Sequence, residues 1–416
     1  MSWRETTLGE ITDLKRGFDL PKSQRLQGDV PVYSSSGITG SNSTAAVEGP
    51  CVITGRYGTI GEVFFSGGPC WPLNTALYST EFNGNNPRFV YYLLQTIPWQ
   101  GYTTASAVPG VNRNHVNLCP VKIPDRATQD AIVEVLDSIV DKIALNNRLN
   151  DYLFELVSSV FAHRFSDNVN TTELKNVLSI STKALKPQEH ADEIWEHYSI
   201  PAFDEKHRPI FEPASGIKSN KYQIDSECIL ISKLNPSTKR IWMPCCSSNN
   251  AVCSTEFIVY RPYLKEYKSF YYAAIDSPRF TDYLLEHVSG STGSRQRAQP
   301  KDTLNYLMPN PDNEEIKDFC TFADPIYRHI QINEQQTAKL ELLRETLLPK
   351  LMSGAIDVSK VDLTQLTNNH LSGCGSFCSV CCPSGLASEF HEWFREHFFF
   401  GYGHLCKADL GWEDLP

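Results

Sequence analysis

The 416-residue chain has no run approaching the roughly 20 consecutive apolar residues of a membrane-spanning helix, so no membrane association is expected. Its opening, MSWRETTLGEI, has no basic stretch followed by an apolar one. A secretory signal is therefore not expected, and a cytoplasmic location follows, in which the 13 cysteines are reduced thiols. There is no phosphate-binding loop of the form GxxxxGK[ST]. GRYGTIG (55–61) has the glycines but neither the lysine nor the flanking order. Nor is there an Asn/Asp-Pro-Pro-Tyr/Phe segment of the kind amino-methyltransferases use; NPST (235–238) comes nearest and is not close. These absences leave an independent enzyme little to stand on.

The residues present describe a globular protein, 41% hydrophobic and 21% charged. At 46.9 kDa the chain is too long for one ordinary domain. An internal repeat accounts for the length. TTLGEI (6–11) resembles TTELKNV (171–177), PCVIT (50–54) resembles ECILI (227–231), and NTALY (74–78) resembles STEFI (254–258). Tyr91 and Tyr92 align with Tyr271 and Tyr272. Further on, Pro124, Ile139, Ile143, Asn146, Leu153 and Leu156 align with Pro311, Ile326, Ile330, Asn333, Leu340 and Leu343. The offset grows from 166 through 177 and 180 to 187, as loop insertions in the second copy would produce.

Each copy has the same order. Short apolar strands come first, expected at 30–35, 51–55, 62–66 and 75–80, then at 196–203, 227–234, 241–245 and 254–260. A tyrosine-rich helix follows near 87–97 and 266–288, then a polar loop (106–116 and 289–300), a proline and a long helix. Strands segregated from helices indicate α+β. In the long helices the apolar residues Ile132, Leu136, Ile139, Ile143, Leu153, Leu156 and Val160 recur at steps of three and four. So do Ile316, Phe319, Ala323, Ile326, Ile330, Leu340, Leu343 and Leu347, and both stripes lapse at the same place, Asn146–Asn150 and Asn333–Thr337. Two amphipathic helices, each packed on its own domain, would satisfy this pattern. A narrow stripe over about 37 residues, or about 55 Å, fits two antiparallel coiled-coil helices better. Pro325 would kink the second helix or mark its start.

The order globule, long helix ending FELVSSVFAHRF, globule, long helix ending LLPKLMSGAIDV resembles the specificity (S) subunit of type I restriction–modification systems. The resemblance rests also on the opening WRETTLGEI, on GRYGTIG, on KIPDRATQDAIVEVLDSI (122–139) and on LRETLLPKLMSG (343–354), and it covers about 1–358. It implies a target-recognition domain at 1–123, a spacer helix at 124–166, a second recognition domain at 167–310, a second spacer helix at 311–358 and a C-terminal extension at 359–416. It also implies a non-catalytic subunit that reads a split double-stranded DNA target. Such a subunit docks two methyltransferase subunits and restriction subunits. S-adenosylmethionine, ATP and Mg would sit in those partners and no cofactor in this chain. A coiled-coil adaptor that binds only proteins, or the recognition half of another DNA-modifying assembly, would share the architecture.

The net charge of −10 opposes DNA binding, but its distribution does not. Residues 1–123 hold nine Lys/Arg against eight Asp/Glu, and residues 168–310 seventeen against sixteen, so the acidity lies in the helices and tail. Near-neutral readers predict weak DNA affinity for the subunit alone. The candidate contacts are loop residues: Arg56, Tyr57, Arg113, Asn114 and His115 in the first copy, and Lys233, Lys239, Arg240, Arg295, Gln296 and Arg297 in the second. Arg reads guanine and Asn or Gln reads adenine, although each of these residues is equally a solvated loop side chain or a phosphate contact. The Ser-rich YSSSGITGSNS (33–43) is a flexible loop or a further phosphate contact. The Cys-rich tail carries Cys374, Cys378, Cys381, Cys382 and Cys406 near His404. Its single CxxC lacks the second pair of a structural zinc site, so an extension docking through FREHFFFGYGHL is expected and a metal is not.

Overall fold

The computed structural model describes residues 3–103, 110–289 and 296–361. The chain divides into two compact units, one of Met1–Asp137 with Thr346–Pro416 and one of Ser138–Glu345. The Cys-rich tail and Arg295 lie outside the described residues.

In the first unit a four-stranded antiparallel sheet has the order Lys15–Arg16, Ala76–Ser79, Cys51–Gly55, Val63–Ser66. A three-stranded sheet orders Gly37–Asn42, Val30–Ser34 and Trp71–Pro72, the last pair parallel. Trp3–Thr7 pairs with Pro120–Pro124, which closes the unit and aims the chain into the first long helix. The helix Pro87–Gln95 starts where Asn86 accepts the Arg88 and Phe89 N–H groups, with proline at its first turn. Its Phe89, Val90 and Leu94 fill a core with Leu8, Ile11, Val52 and Leu136. Leu351 and Met352 of the returning helix complete that core. Gly354 ends that helix at φ +74°, and a Cβ there would lie 2.8 Å from the Trp3 indole. Only glycine meets both demands.

The second unit repeats the frame. Its four-stranded sheet orders Leu178–Ser181, Phe257–Pro262, Ile229–Ser232 and Ile241–Trp242. The registers match strand for strand. Thr6 pairs with Val121 and Thr172 with Met308; Val52 pairs with Ser79 and Ile229 with Tyr260. The second sheet grows to five strands, and the parallel pair recurs between Ile194–Tyr198 and Ala251–Ser254. These pairings correct one alignment. The middle offset is 181 rather than 180, so Phe89 corresponds to Phe270, both fully buried, and Tyr91 to Tyr272.

Three local expectations change. The strand expected over 196–203 stops at Tyr198, because Ser199 accepts the Ala202 N–H and caps the helix Ile200–Lys206. The helix expected over 266–288 is two, Lys268–Asp276 and Pro278–Glu286, since Ser277 caps a new helix with proline at its first turn. Pro325 neither ends nor starts the helix Asn313–Met352. A proline there removes one N–H donor, a cost of about 3 kcal/mol, but Ala323, Ile326, Tyr327 and Ile330 are buried around it and hold the helix together.

Within this unit the first long helix, Arg126–Phe165, meets the second. Asn146 donates to Gln336 at 2.8 Å and to Thr337 at 3.4 Å, and Asn333 donates to Asn150 at 2.8 Å. Rising numbers on one helix meet falling numbers on the other, so the contact is antiparallel. Beyond it Phe161 and Phe165 each meet Phe319 edge to face, and Phe165 meets Phe270 in the same way.

Candidate nucleic-acid interface

In the first unit the strand Cys51–Gly55 delivers Arg56 and Tyr57 into a turn fixed from both sides. The Arg56 and Tyr57 N–H groups donate to the Thr75 carbonyl at 2.9 and 3.2 Å, and the Arg56 carbonyl accepts from Val111 N–H at 2.9 Å. Tyr57 bridges to Gly110. A Cβ on Gly110 would lie 2.3 Å from the Tyr57 ring, so the glycine is what admits the aromatic. The Arg56 guanidinium sits 4.6 Å over the same ring. One residue past Val111, the Asn112 side chain accepts the Asn114 N–H at 3.1 Å and starts the turn Arg113–Val116. Arg113, Asn114 and His115 are exposed there. Two stretches half a unit apart in sequence thus form one edge.

The second unit builds the same edge. Lys233 N–H donates to the Glu256 carbonyl at 2.9 Å, and Ala298 N–H donates to the Lys233 carbonyl at 2.9 Å. Leu234 bridges to Arg297, and Asn235 N–H donates to the Gln296 carbonyl at 2.9 Å. Lys233 and Gln296 are half-buried and Arg297 is exposed. The charges are arranged differently. Arg297 forks onto the Glu256 carboxylate at 3.1 and 3.2 Å. Lys239 reaches the Asp276 carboxylate at 2.6 Å, yet burial still pushes that carboxyl up. Arg240, its side chain only 11% exposed, grips Asp204 at 2.6 and 2.8 Å and holds that carboxyl below the usual range. Lys239 and Arg240 are therefore committed to the protein itself.

Gly110 and Glu256 belong to the edge and were not among the sequence candidates. The glycine in VPGVN carried a visible signal; Glu256, lying in a strand-like run, carried none. Beyond the other end of the strand Ile229–Ser232 lies a polar recess of about 500 Å³, with Lys183, Ser248 and an Arg261–Asp225 pair at 2.8 Å in its walls. Among the described residues no group of three His, Cys, Asp or Glu is placed to hold a metal, and no helix is long and apolar enough to cross a membrane.

Residues 1–153 match the family model described as the type I restriction modification DNA specificity domain. No curated protein matches the chain. Among solved structures, the S subunit of a type I restriction–modification system from M. genitalium aligns over 84% of this chain and 96% of its own, at 15% identity and a TM-score of 0.57. The HsdS subunit from Thermoanaerobacter tengcongensis aligns over 85% and 97% at 15% identity, TM-score 0.30. A chain from a structure describing complex assembly and conformational transition of the type I R-M system aligns over 84% and 97% at 14% identity, TM-score 0.37. The first of these establishes a shared fold.

Proposed function

We infer that this chain, a non-catalytic DNA sequence-specificity subunit of the type I restriction–modification kind, reads a split target with one half-site assigned to each unit. The observation that carries the two-reader reading is the duplicated edge. Arg56 with Thr75 and Val111, and Lys233 with Glu256 and Ala298, make the same main-chain hydrogen bonds in two different sequences. Arg56, Tyr57, Arg113, Asn114 and His115 serve one half-site; Lys233, Gln296 and Arg297 serve the other. The long helices act as an antiparallel coiled-coil spacer and carry two methyltransferase subunits. Restriction subunits join through those partners, which supply S-adenosylmethionine, ATP and Mg.

Replacing Arg113 and Asn114 by Ala should relax or abolish one half of the methylated motif, and replacing Gln296 and Arg297 by Ala the other half. Each true base contact should cost about 1–3 kcal/mol. Methylation mapping in cells that also express the methyltransferase reads this directly. Loss of the same half-site by both variants would overturn the two-reader reading.

A further inference from the structure

We propose that Arg56 and Lys233 are one residue in two copies: each grips a DNA backbone phosphate, while sequence is read at the neighbouring positions where the units differ. This rests on the DNA-reading function. The equivalence is set by hydrogen bonds rather than by similarity of sequence. Each residue donates its N–H at 2.9 Å to the turn residue that leads into the neighbouring strand, Thr75 or Glu256, and accepts at its carbonyl from Val111 or Ala298 at 2.9 Å. Each is followed by a residue that bridges to the same returning segment, Tyr57 to Gly110 and Leu234 to Arg297. Two unlike segments of the chain thus place a cation at one point of one frame.

Those cations are also unengaged by carboxylates. Among the described residues neither Arg56 nor Lys233 forms an ion pair, whereas Lys239, Arg240 and Arg297 each hold an acidic partner. A feature kept alike in two readers of unlike half-sites must touch what the half-sites share, and that is the sugar–phosphate backbone. The side chains agree. A bidentate base contact does not survive exchange of Arg for Lys, whereas a phosphate accepts either cation.

The next position behaves in the opposite way. In the first unit the space is filled from one strand by the Tyr57 ring, and the facing residue is Gly110. In the second unit the facing residue is Arg297, its fork oriented by Glu256, and the residue in the place of Tyr57 is Leu234. The same frame therefore presents an aromatic ring, with Arg56 over one face, in one unit and an Arg297 guanidinium in the other. Unlike surfaces at one point are what two different half-sites require.

The test measures affinity of the assembled complex with its methyltransferase over a salt series, on cognate and unrelated duplexes, beside methylation mapping. Arg56→Gln and Lys233→Gln should each weaken both duplexes equally, flatten the log–log salt slope by about 0.9, and leave the motif unchanged. Arg56→Lys should restore the slope. Tyr57→Leu and Arg297→Gln should instead change the bases preferred in their own half-site. A changed motif in Arg56→Gln or Lys233→Gln, or an unchanged salt slope in either, overturns the assignment. If Arg56→Gln does not fold, Lys233→Gln and Arg56→Lys decide alone. A wild-type complex that shows no preference for its cognate duplex would instead overturn the DNA-reading function itself.

Discussion

Glu334 lies on the second long helix with its carboxylate 3.5 Å from His207 Nδ1, and burial pushes its carboxyl up to about 8. Burial pushes His207 down, and its ring stacks on Trp242 with centroids 5.7 Å apart. The folded chain therefore keeps a proton on Glu334 that the unfolded chain releases near the ordinary value of 4.5. Between those two values the unfolded state is the one that has lost its proton. Stability present below about 4.5 is thus lost as pH rises toward about 8, and then levels off. His207 has the opposite sign: its contribution is present above 6.5 and lost as pH falls below that value. The Glu334→Gln variant should melt above the wild type at pH 8, by a margin that narrows toward pH 5. A margin independent of pH would show that the proton is not held. Nothing in the sequence around Glu334 announces this, because its spatial neighbour His207 lies more than a hundred residues earlier. Lys206 and Arg208 both reach Glu341, one further heptad along the same helix.

Among the elements, the long helices were the most legible, since a stripe of Ile and Leu at steps of three and four marks a helix, and Arg126–Phe165 and Asn313–Met352 are helical. The polar lapses within them were not. By periodicity alone Asn146–Asn150 and Asn333–Thr337 look like gaps in a seam. In the structure Asn146 is 1% exposed and Asn333 0%, and they belong to a buried hydrogen-bonded ladder. Binary pattern cannot tell a polar residue facing water from one facing its partner. Asn150→Leu should cost about 1–3 kcal/mol, because it strands the Asn333 amide, whose oxygen already has no partner among the described residues. Adding Asn333→Leu removes both orphaned groups and should recover most of that loss. Urea denaturation of the two single variants and the double variant measures the coupling, and strictly additive costs would show that the pair is not coupled. The strand at 196–203 was misjudged because Ser199-Ile200-Pro201 is a helix start embedded in an apolar run. Local capping chemistry overrode hydrophobicity there.

For the whole molecule the duplication was readable from an ordered series of matching segments, and the main-chain registers follow the same order. The offsets of 166 and 187 at the two ends recur in the pairing of Thr6 with Val121 and Thr172 with Met308. Which loop residues would meet DNA was readable only as a set of eligible side chains. Ion pairs with Asp204 and Asp276, distant in sequence, are what commit Arg240 and Lys239 to the protein. If the helices are the spacer, their length sets the gap between half-sites. A seven-residue heptad inserted after Asn147 and again after Glu334 would keep both ladder pairs and the apolar stripe. It lengthens each helix by about 10 Å at 1.5 Å per residue. At about 3.4 Å per base pair the unread gap should grow by about three, with both half-sequences unchanged. An active insertion mutant that methylates the original spacing would rule the spacer role out.

The ladder has one more property. Shifted by the repeat, Asn146 becomes Asn333 and Asn150 becomes Thr337, so the pairs Asn146–Thr337 and Asn150–Asn333 exchange places. It is nearly a palindrome, broken only where the Thr337 hydroxyl stands in the place of the Asn150 amide, and a palindrome has no arrow. The arrow is carried by Glu334 and Glu341, whose counterparts one repeat earlier are the uncharged Asn147 and Phe154. The ladder is neutral and indifferent to electrolyte, as is Glu334 while it keeps its proton; the Glu341 carboxylate, paired with Lys206 and Arg208, is not. Dissolved salt therefore acts on the Glu341 pairs, which have no equivalent at Phe154 in the first copy.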